Sequence, residues 1–239
     1  MTPDLSVVFP VFNEEENIPI LLDEIAGALR GTSWSYEMVA VDDGSVDRSL
    51  QVLRDSRAKH PNLRVLTFEK NSGQTAALDA GWRAARGRSI VSLDADLQND
   101  PADIPKMMRK LEESGADMVI GVRVNRQDTW ARKIQSRIGN GVRNWITRDQ
   151  ITDTGCSLKV VRREAVERVR LFTGMHRFLP TLVRMQGYRV VEMPVNHRPR
   201  KFGVSKYGAM NRAMRGLTDC FAVRWMGKRM LNYKVHEEL

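Results

Sequence analysis

The stretch "SIVSLDADLQNDPADIP", residues 89–105, holds Asp94 and Asp96 one residue apart, directly after the apolar run Ile90, Val91 and Leu93. Two carboxylates that close repel each other, and a divalent cation between them removes the repulsion. Their hard oxygens suit Mg²⁺ or Mn²⁺, which typically take one or two carboxylates and complete their shells with substrate phosphates. Gln98, one further step of two along, adds an amide oxygen. A cation so placed stabilises charge building on a diphosphate leaving group. A second acidic pair, Asp42 and Asp43, also closes an apolar run, and carboxylates there can accept hydrogen bonds from a base N–H or ribose hydroxyls. A lone DxD is a weak signal; DxD together with DDGS at successive strand ends is a strong one. Neither GxGxxG nor GxxxxGK[ST] occurs, which excludes the standard dinucleotide and P-loop sites.

These residues need a scaffold that brings them to one place. Apolar runs at 5–10, 36–41, 63–68, 89–93 and 118–122 read as strands, and residues 17–30, 47–59, 75–85 and 101–114 read as helices between them. The helix at 47–59 is expected to be capped near Ser45 or Asp47. Near-continuously apolar strands alternating with helices predict an α/β fold around a mainly parallel sheet covered on both faces. Ligands in such sheets bind beyond the carboxyl ends of the strands. Asn13-Glu14, Asp42-Asp43, Lys70-Asn71 and Asp94–Asp96 all fall there.

The 239 residues, 42% hydrophobic, suffice for one such domain with an appendage. Charge divides sharply: residues 1–120 carry 13 Lys and Arg against 20 Asp and Glu, net −7, and residues 121–239 carry 25 against 9, net +16. A basic half of this kind faces nucleic acid, phosphates or acidic lipid. Cys156 and Cys220 form no disulfide framework and no zinc pattern, which fits a reducing compartment. The first residues lack the features of a signal peptide, and no run is long and apolar enough to span a bilayer. Two basic amphipathic segments stand out. In 130–146 apolar residues recur at 130, 134, 138, 142 and 145/146 among Arg132, Lys133, Arg137 and Arg143. In 207–231, Met210, Met214, Leu217, Phe221 and Trp225 share a face beside Arg212, Arg215, Arg224, Lys228 and Arg229. Such faces either pack on the sheet or lie in a membrane interface, and spacing leaves both open. For Arg137 and Arg143 a solvated face or a lipid headgroup is expected.

Taken in order, "VVFPVFNEEENI", "VDDGSVDRS", "KNSGQTAAL" and "LDADLQNDP" resemble family-two glycosyltransferases of the GT-A fold. More narrowly they resemble polyprenyl-phosphate glycosyltransferases, the group that includes dolichol-phosphate mannose synthase. "GVRVNRQDTWARKIQSRIGN", "DTGCSLKVVRR", "GMHRFLPTLVRMQGY" and "EMPVNHRPRKFGVSKYG" look like acceptor-side motifs of its bacterial members, and the resemblance covers residues 5–231. It implies a catalytic domain at 1–206, with a nucleotide-sugar half at 1–120 and an acceptor half at 121–206, followed by an amphipathic helical segment at 207–239. The implied reaction is inverting, metal-assisted transfer of a sugar from a nucleotide-diphosphate sugar to undecaprenyl or dolichyl phosphate. Pro10, Phe12 and Glu14 match the first nucleotide-contacting loop. Asp42 and Asp43 match the pair at the base and ribose, and Asp94 with Ala95 completes the nucleotide set. Asp94, Asp96 and Gln98 match the metal triplet. Arg123, Arg132 and Ser136 match the residues that hold the lipid phosphate and, with Asp96, make up the implied catalytic set. Ser157 and Lys159 match a segment facing the donor phosphates. Arg200, Ser205 and Lys206 match a loop that closes over the diphosphate, and His197 belongs to its bacterial version with an open role.

The chemistry agrees with that mapping. A sugar-hydroxyl acceptor needs a general base, whereas a lipid monophosphate is already anionic at pH 7 and needs orientation and charge compensation. Many relatives carry transmembrane helices after the catalytic domain. This chain ends at VHEEL without one, so a monotopic protein on the cytoplasmic face of the plasma membrane is expected, or one dependent on a membrane partner; pairing of two or four chains stays open. The processive-synthase signature QxxRW is absent, because Phe221 stands where its Gln would precede Arg224-Trp225. One alternative is transfer to a saccharide or lipid-linked hydroxyl, with Asp153 the only plausible base. A second, a non-enzymatic nucleic-acid-binding protein, explains the basic half but not the acidic clusters, so nucleic acid is not an expected partner. A catalytically silent subunit is opposed by the intact Asp94, Asp96, Arg123 and Arg132.

Overall fold

The computed structural model describes residues 2–124, 130–199 and 209–230, without the side chains of 130–138 and 209–215. Five strands fall where the apolar runs place them: β1 (Leu5–Val11), β2 (Tyr36–Asp42), β3 (Leu63–Thr67), β4 (Ser89–Ser92) and β5 (Met118–Arg123). Between them run α1 (Ile18–Leu29), α2 (Ser49–Ser56), α3 (Gln74–Ala84) and α4 (Ile104–Ser114). The Asp47 carboxylate accepts the Ser49 N–H just ahead of α2, whose N-cap position is Arg48 rather than Ser45 or Asp47. The later chain adds α5 (Trp130–Thr147), β6 (Lys159–Arg162), α6 (Arg163–Glu167), α7 (Leu179–Met185), β7 (Val190–Val195) and α8 (Ala209–Arg229). Neither β6 nor β7 is signalled by an apolar run of ordinary length.

One sheet runs through both halves of the chain in the order β3-β2-β1-β4-β6-β5-β7. Every pairing is parallel except those of β6, which runs antiparallel to both β4 and β5. The start of β6 therefore lies at the same sheet edge as the ends of β4 and β5, with Lys159 opposite both Ser92 and Ile120. Alternation sends Val7 and Phe9 to one face, against Ile18, Leu22 and Ile25 of α1 and Met107 and Leu111 of α4. Val8, Val39 and Val41 go to the other, against Ala77 and Trp82 of α3, Leu182 and Val183 of α7, and Val223 of α8. Both faces are covered, which is why these strands read as continuous apolar runs.

Helix α8 reaches the core through Cys220 and Val223, while Leu217, Phe221 and Trp225, its predicted apolar face, point outward. Trp145 of α5 is 80% exposed and Trp225 is 63% exposed. The Arg224 guanidinium donates to the Ile146 carbonyl and ties the two helices together. Arg143 departs from expectation. It is buried rather than solvated, donates to Thr181 Oγ1 at 2.8 Å, and lies 4.9 Å from the centroid of the Phe178 ring. No helix among the described residues is long and apolar enough to cross a membrane.

Candidate active site at the carboxyl edge of the sheet

The edge is built strand by strand. After β1 the chain turns at Asn13, whose φ of 54° is left-handed, a conformation Asn tolerates better than most residues. Its N–H donates to Ser45 Oγ and its Oδ1 accepts from the Val46 N–H, which joins the loop after β1 to the loop after β2. Glu14 accepts from Asn17 Nδ2 at 2.6 Å, and its backbone N–H donates to Ser49 Oγ. Pro10 and Phe12 flank this turn, each half-buried.

Asp42, the last residue of β2, is 1% exposed. Thr67 donates to its Oδ2 over 3.4 Å, while Oδ1 has no hydrogen-bond partner among the described residues. A buried acceptor without a donor is costly, and at this edge it fits the N–H of a base. Asp43 is placed differently. Its carboxylate accepts the Ser72 N–H at 2.7 Å, the Gly73 N–H at 2.9 Å and Asn71 Nδ2 at 3.0 Å, so it shapes the Lys70–Gly73 loop. Burial raises its pKa against those donors. Gly44 makes this fit possible: its φ is 68°, and a Cβ there would come within 2.6 Å of the Asn71 nitrogen.

Asp94 follows β4. Gln74, the first residue of α3, donates its amide to Asp94 Oδ1 at 2.7 Å. Asp96 is 7% exposed, and its Oδ1 accepts the Gln98 N–H at 3.2 Å. Leu97, between Asp96 and Gln98, holds a φ of 60°, and the side chains of Leu97 and Ala95 both lie in the core. Left-handed leucine costs roughly 1–2 kcal/mol, and strain of this kind collects at functional sites. Two carboxylates and an amide on one loop fit a Mg²⁺ or Mn²⁺ that also takes substrate phosphate oxygens. No group of three or more His, Cys, Asp or Glu able to cage a metal occurs among the described residues.

The Asp94–Gln98 loop is braced from the second half. Arg198 N–H donates to the Gln98 carbonyl, Asn99 pairs with His197 in an isolated bridge, and Asn99 Nδ2 donates to Ser157 Oγ. The Arg198 guanidinium bonds both Glu24 oxygens and Asp100. His197 thus sits beside the triplet. Lys159 is buried and its Nζ donates to the Cys156 carbonyl. Burial pushes its pKa down, opposed by neighbouring Cys156, Asp94 and Asp153. Arg123 ends β5, and Asp153 holds it through backbone N–H, Nε and Nη2 at 3.1, 2.8 and 2.8 Å. Asp153 also accepts from the Gly155 N–H.

A cavity of about 380 Å³ opens between these groups, lined by Asp94, Arg123, Ser157 and Lys159 together with His176 and Arg177. The structure therefore brings together Asp94, Arg123, Ser157 and Lys159 around one space. Arg132 and Ser136 lie on α5, outside the described side chains, and Arg200, Ser205 and Lys206 lie outside the described residues. Residue type and spacing do not mark Gln74, Asn99, His176 or Arg177 as site residues; His176 and Arg177 fall within the segment "GMHRFLP".

The sequence profile described as glycosyl transferase family 2 matches residues 6–170. The chain is 41% identical over 224 residues to the dodecaprenyl-phosphate galacturonate synthase of Rhizobium johnstonii, covering 92% of this chain and 66% of that protein. It is 38% identical over 208 residues to the undecaprenyl-phosphate 4-deoxy-4-formamido-L-arabinose transferase of Aeromonas hydrophila, covering 87% and 64%. This chain thus spans a little under two thirds of the length of both relatives. A mannosyltransferase from Pyrobaculum calidifontis in complex with GDP-Man and Mn²⁺ superposes with a TM-score of 0.67 at 22% identity, covering 98% of this chain and 66% of that one. Glucosyl-3-phosphoglycerate synthase from Mycobacterium tuberculosis, solved with Mn²⁺, UDP and phosphoglyceric acid, gives 0.69 at 19% identity, covering 92% and 78%. At these identities the likeness is one of fold, GT-A.

Proposed function

Since the chain belongs to glycosyl transferase family 2, we propose that it moves a sugar from a nucleoside diphosphate sugar to a polyprenyl phosphate at a membrane surface. The observation that carries this reading is the order of chemistry along the sheet edge. Asp42, with its orphaned acceptor, ends β2; Asp94 and Asp96 follow β4; Lys159 starts β6; Arg123 ends β5. Neighbouring strands are about 4.8 Å apart. Read across β2-β1-β4-β6-β5, that order matches base, donor phosphates and acceptor phosphate laid end to end, with the sugar between the last two.

Asp42 takes the base, and Asp43 holds the loop that shapes its pocket. Asp94, Asp96 and Gln98 would hold Mg²⁺ or Mn²⁺, which supplies charge stabilisation to the departing diphosphate. Arg123, fixed by Asp153, orients the lipid phosphate with Arg132 and Ser136. An oxygen of that phosphate attacks the anomeric carbon as the bond to the diphosphate breaks, and the configuration inverts. Ser157 and Lys159, with Arg200, Ser205 and Lys206, attend the donor phosphates. The acceptor needs no proton removed, and Asp153, the candidate base of the hydroxyl-acceptor alternative, is engaged by Arg123.

The names of the two relatives support a polyprenyl phosphate acceptor while differing in the sugar. The outward Trp145, Phe221 and Trp225 support contact with the membrane, and we propose its cytoplasmic face as the one met. We further propose residues 1–206 as the catalytic domain and 207–239 as the segment that meets the membrane, alone, in a homo-oligomer or with a membrane partner. Arg132→Ala tests the acceptor assignment. We expect the concentration of lipid phosphate needed for half-maximal rate to rise at least tenfold with nucleotide affinity nearly unchanged. An unchanged dependence on lipid phosphate refutes it.

A further inference from the structure

The "GMHRF" segment has no part in the reading so far, yet it forms one wall of the cavity. Gly174 turns the chain at a φ of 88°, and Met175–Phe178 make one 3₁₀ turn before α7. The Gly174 N–H donates to Thr75 Oγ1 at 2.9 Å, and the same oxygen lies 2.7 Å from His176 Nδ1. Thr75 directly follows Gln74, which holds Asp94. The first turn of α3 thus fixes a metal-binding carboxylate with one residue and an imidazole with the next.

The Thr75 hydroxyl engages Nδ1 and leaves Nε2 as the ring nitrogen open to a ligand. A hydroxyl oxygen can accept twice, so this contact is met by either tautomer; we place the imidazole proton on Nε2, with Thr75 donating to Nδ1. Burial, reinforced by Arg177 and Lys159, lowers the His176 pKa to about 3, so the ring is neutral at working pH. A neutral N–H donor in a cavity beside Asp94 suits an uncharged or anionic oxygen. On the proposed reaction the donor's sugar lies between the donor phosphates and the acceptor phosphate, in the cavity that Asp94, Lys159 and Arg123 share with His176.

We infer that His176 is a specificity-determining residue for the donor, hydrogen-bonding an oxygen of the transferred sugar through Nε2–H. This rests on the proposed reaction. A buried donor left unpaired penalises any sugar lacking that oxygen, so one such contact discriminates well.

The test compares wild type, His176→Ala and His176→Gln by titration with UDP, GDP, UDP-glucose, UDP-galacturonate and GDP-mannose in Mn²⁺. The readout is the ratio of the Kd of the bare nucleotide to that of its sugar conjugate. We expect His176→Ala to lose roughly tenfold of the best conjugate's affinity, the worth of one lost hydrogen bond, while bare nucleotide binds as before. His176→Gln, which keeps an N–H, recovers most of the loss. If the alanine variant is insoluble, Gln against Leu makes the same comparison at similar bulk. The inference is overturned by an unchanged ratio, by equal losses for bare and conjugated nucleotide, or by a higher KM for undecaprenyl phosphate with donor affinity intact. A wild type that binds nucleotide and conjugate equally also overturns it. Wild type binding none of the five probes brings down the proposed reaction as well.

Discussion

At the residue scale, two neighbouring aspartates show how far residue type carries. Asp42 and Asp43 look equivalent in the sequence, and both are buried at the same strand end. Asp43 accepts from Ser72, Gly73 and Asn71, whereas Asp42 keeps an unpaired oxygen. The pair was legible as chemistry, but its division of labour depends on a loop about thirty residues away. Gly44 is the hinge of that arrangement. Gly44→Ala places a methyl against the backbone of Lys70 and Asn71 at 2.6 Å in a left-handed conformation. We expect it to lower nucleotide affinity by an order of magnitude or more and to cost about 2–4 kcal/mol of stability. Titration with UDP and GDP together with urea unfolding measures both, and wild-type values in each would remove the loop from the account.

At the element scale, the first half was readable because its strands are doubly buried and its helices span three turns or so, long enough to show their spacing. The second half was not. Strand β6 has four residues and α6 five, too short for a period to appear. Strand β7 ends the sheet and carries Glu192 and Pro194, which an edge strand tolerates and a central one does not. Arg143 was misread for a related reason: a basic residue on an amphipathic helix normally faces water, but here Asp149, Thr181 and Arg184 gather around it. This network anchors α5 to α7, beside the turn that carries His176. Asp149→Ala leaves two guanidinium groups without their shared carboxylate, one of them buried. We expect a loss of about 3–5 kcal/mol, read from the urea midpoint. A loss under about 1 kcal/mol would show the network to be peripheral to stability.

At the scale of the whole molecule, one sheet joins an acidic half, net −7, to a basic half, net +16. The charge split was plain in the sequence and the shared sheet was not. Helices α5 and α8 lie on the basic side with Trp145, Phe221 and Trp225 outward beside Arg148, Arg224 and Lys228. Aromatic rings with cationic neighbours suit an anionic lipid interface. Replacing the three aromatics with serine should cut co-sedimentation with phosphatidylglycerol vesicles at least fivefold while leaving nucleotide affinity unchanged. Undiminished sedimentation would remove this face from the membrane contact.

The central claim is the acceptor, and it is tested most directly by incubating the protein in detergent with undecaprenyl phosphate and a panel of radiolabelled UDP- and GDP-sugars, with and without Mn²⁺ or Mg²⁺. The account predicts one labelled lipid product that forms only with metal and vanishes in Asp96→Ala. Sugar nucleotide that binds but yields no labelled lipid from any donor would contradict it.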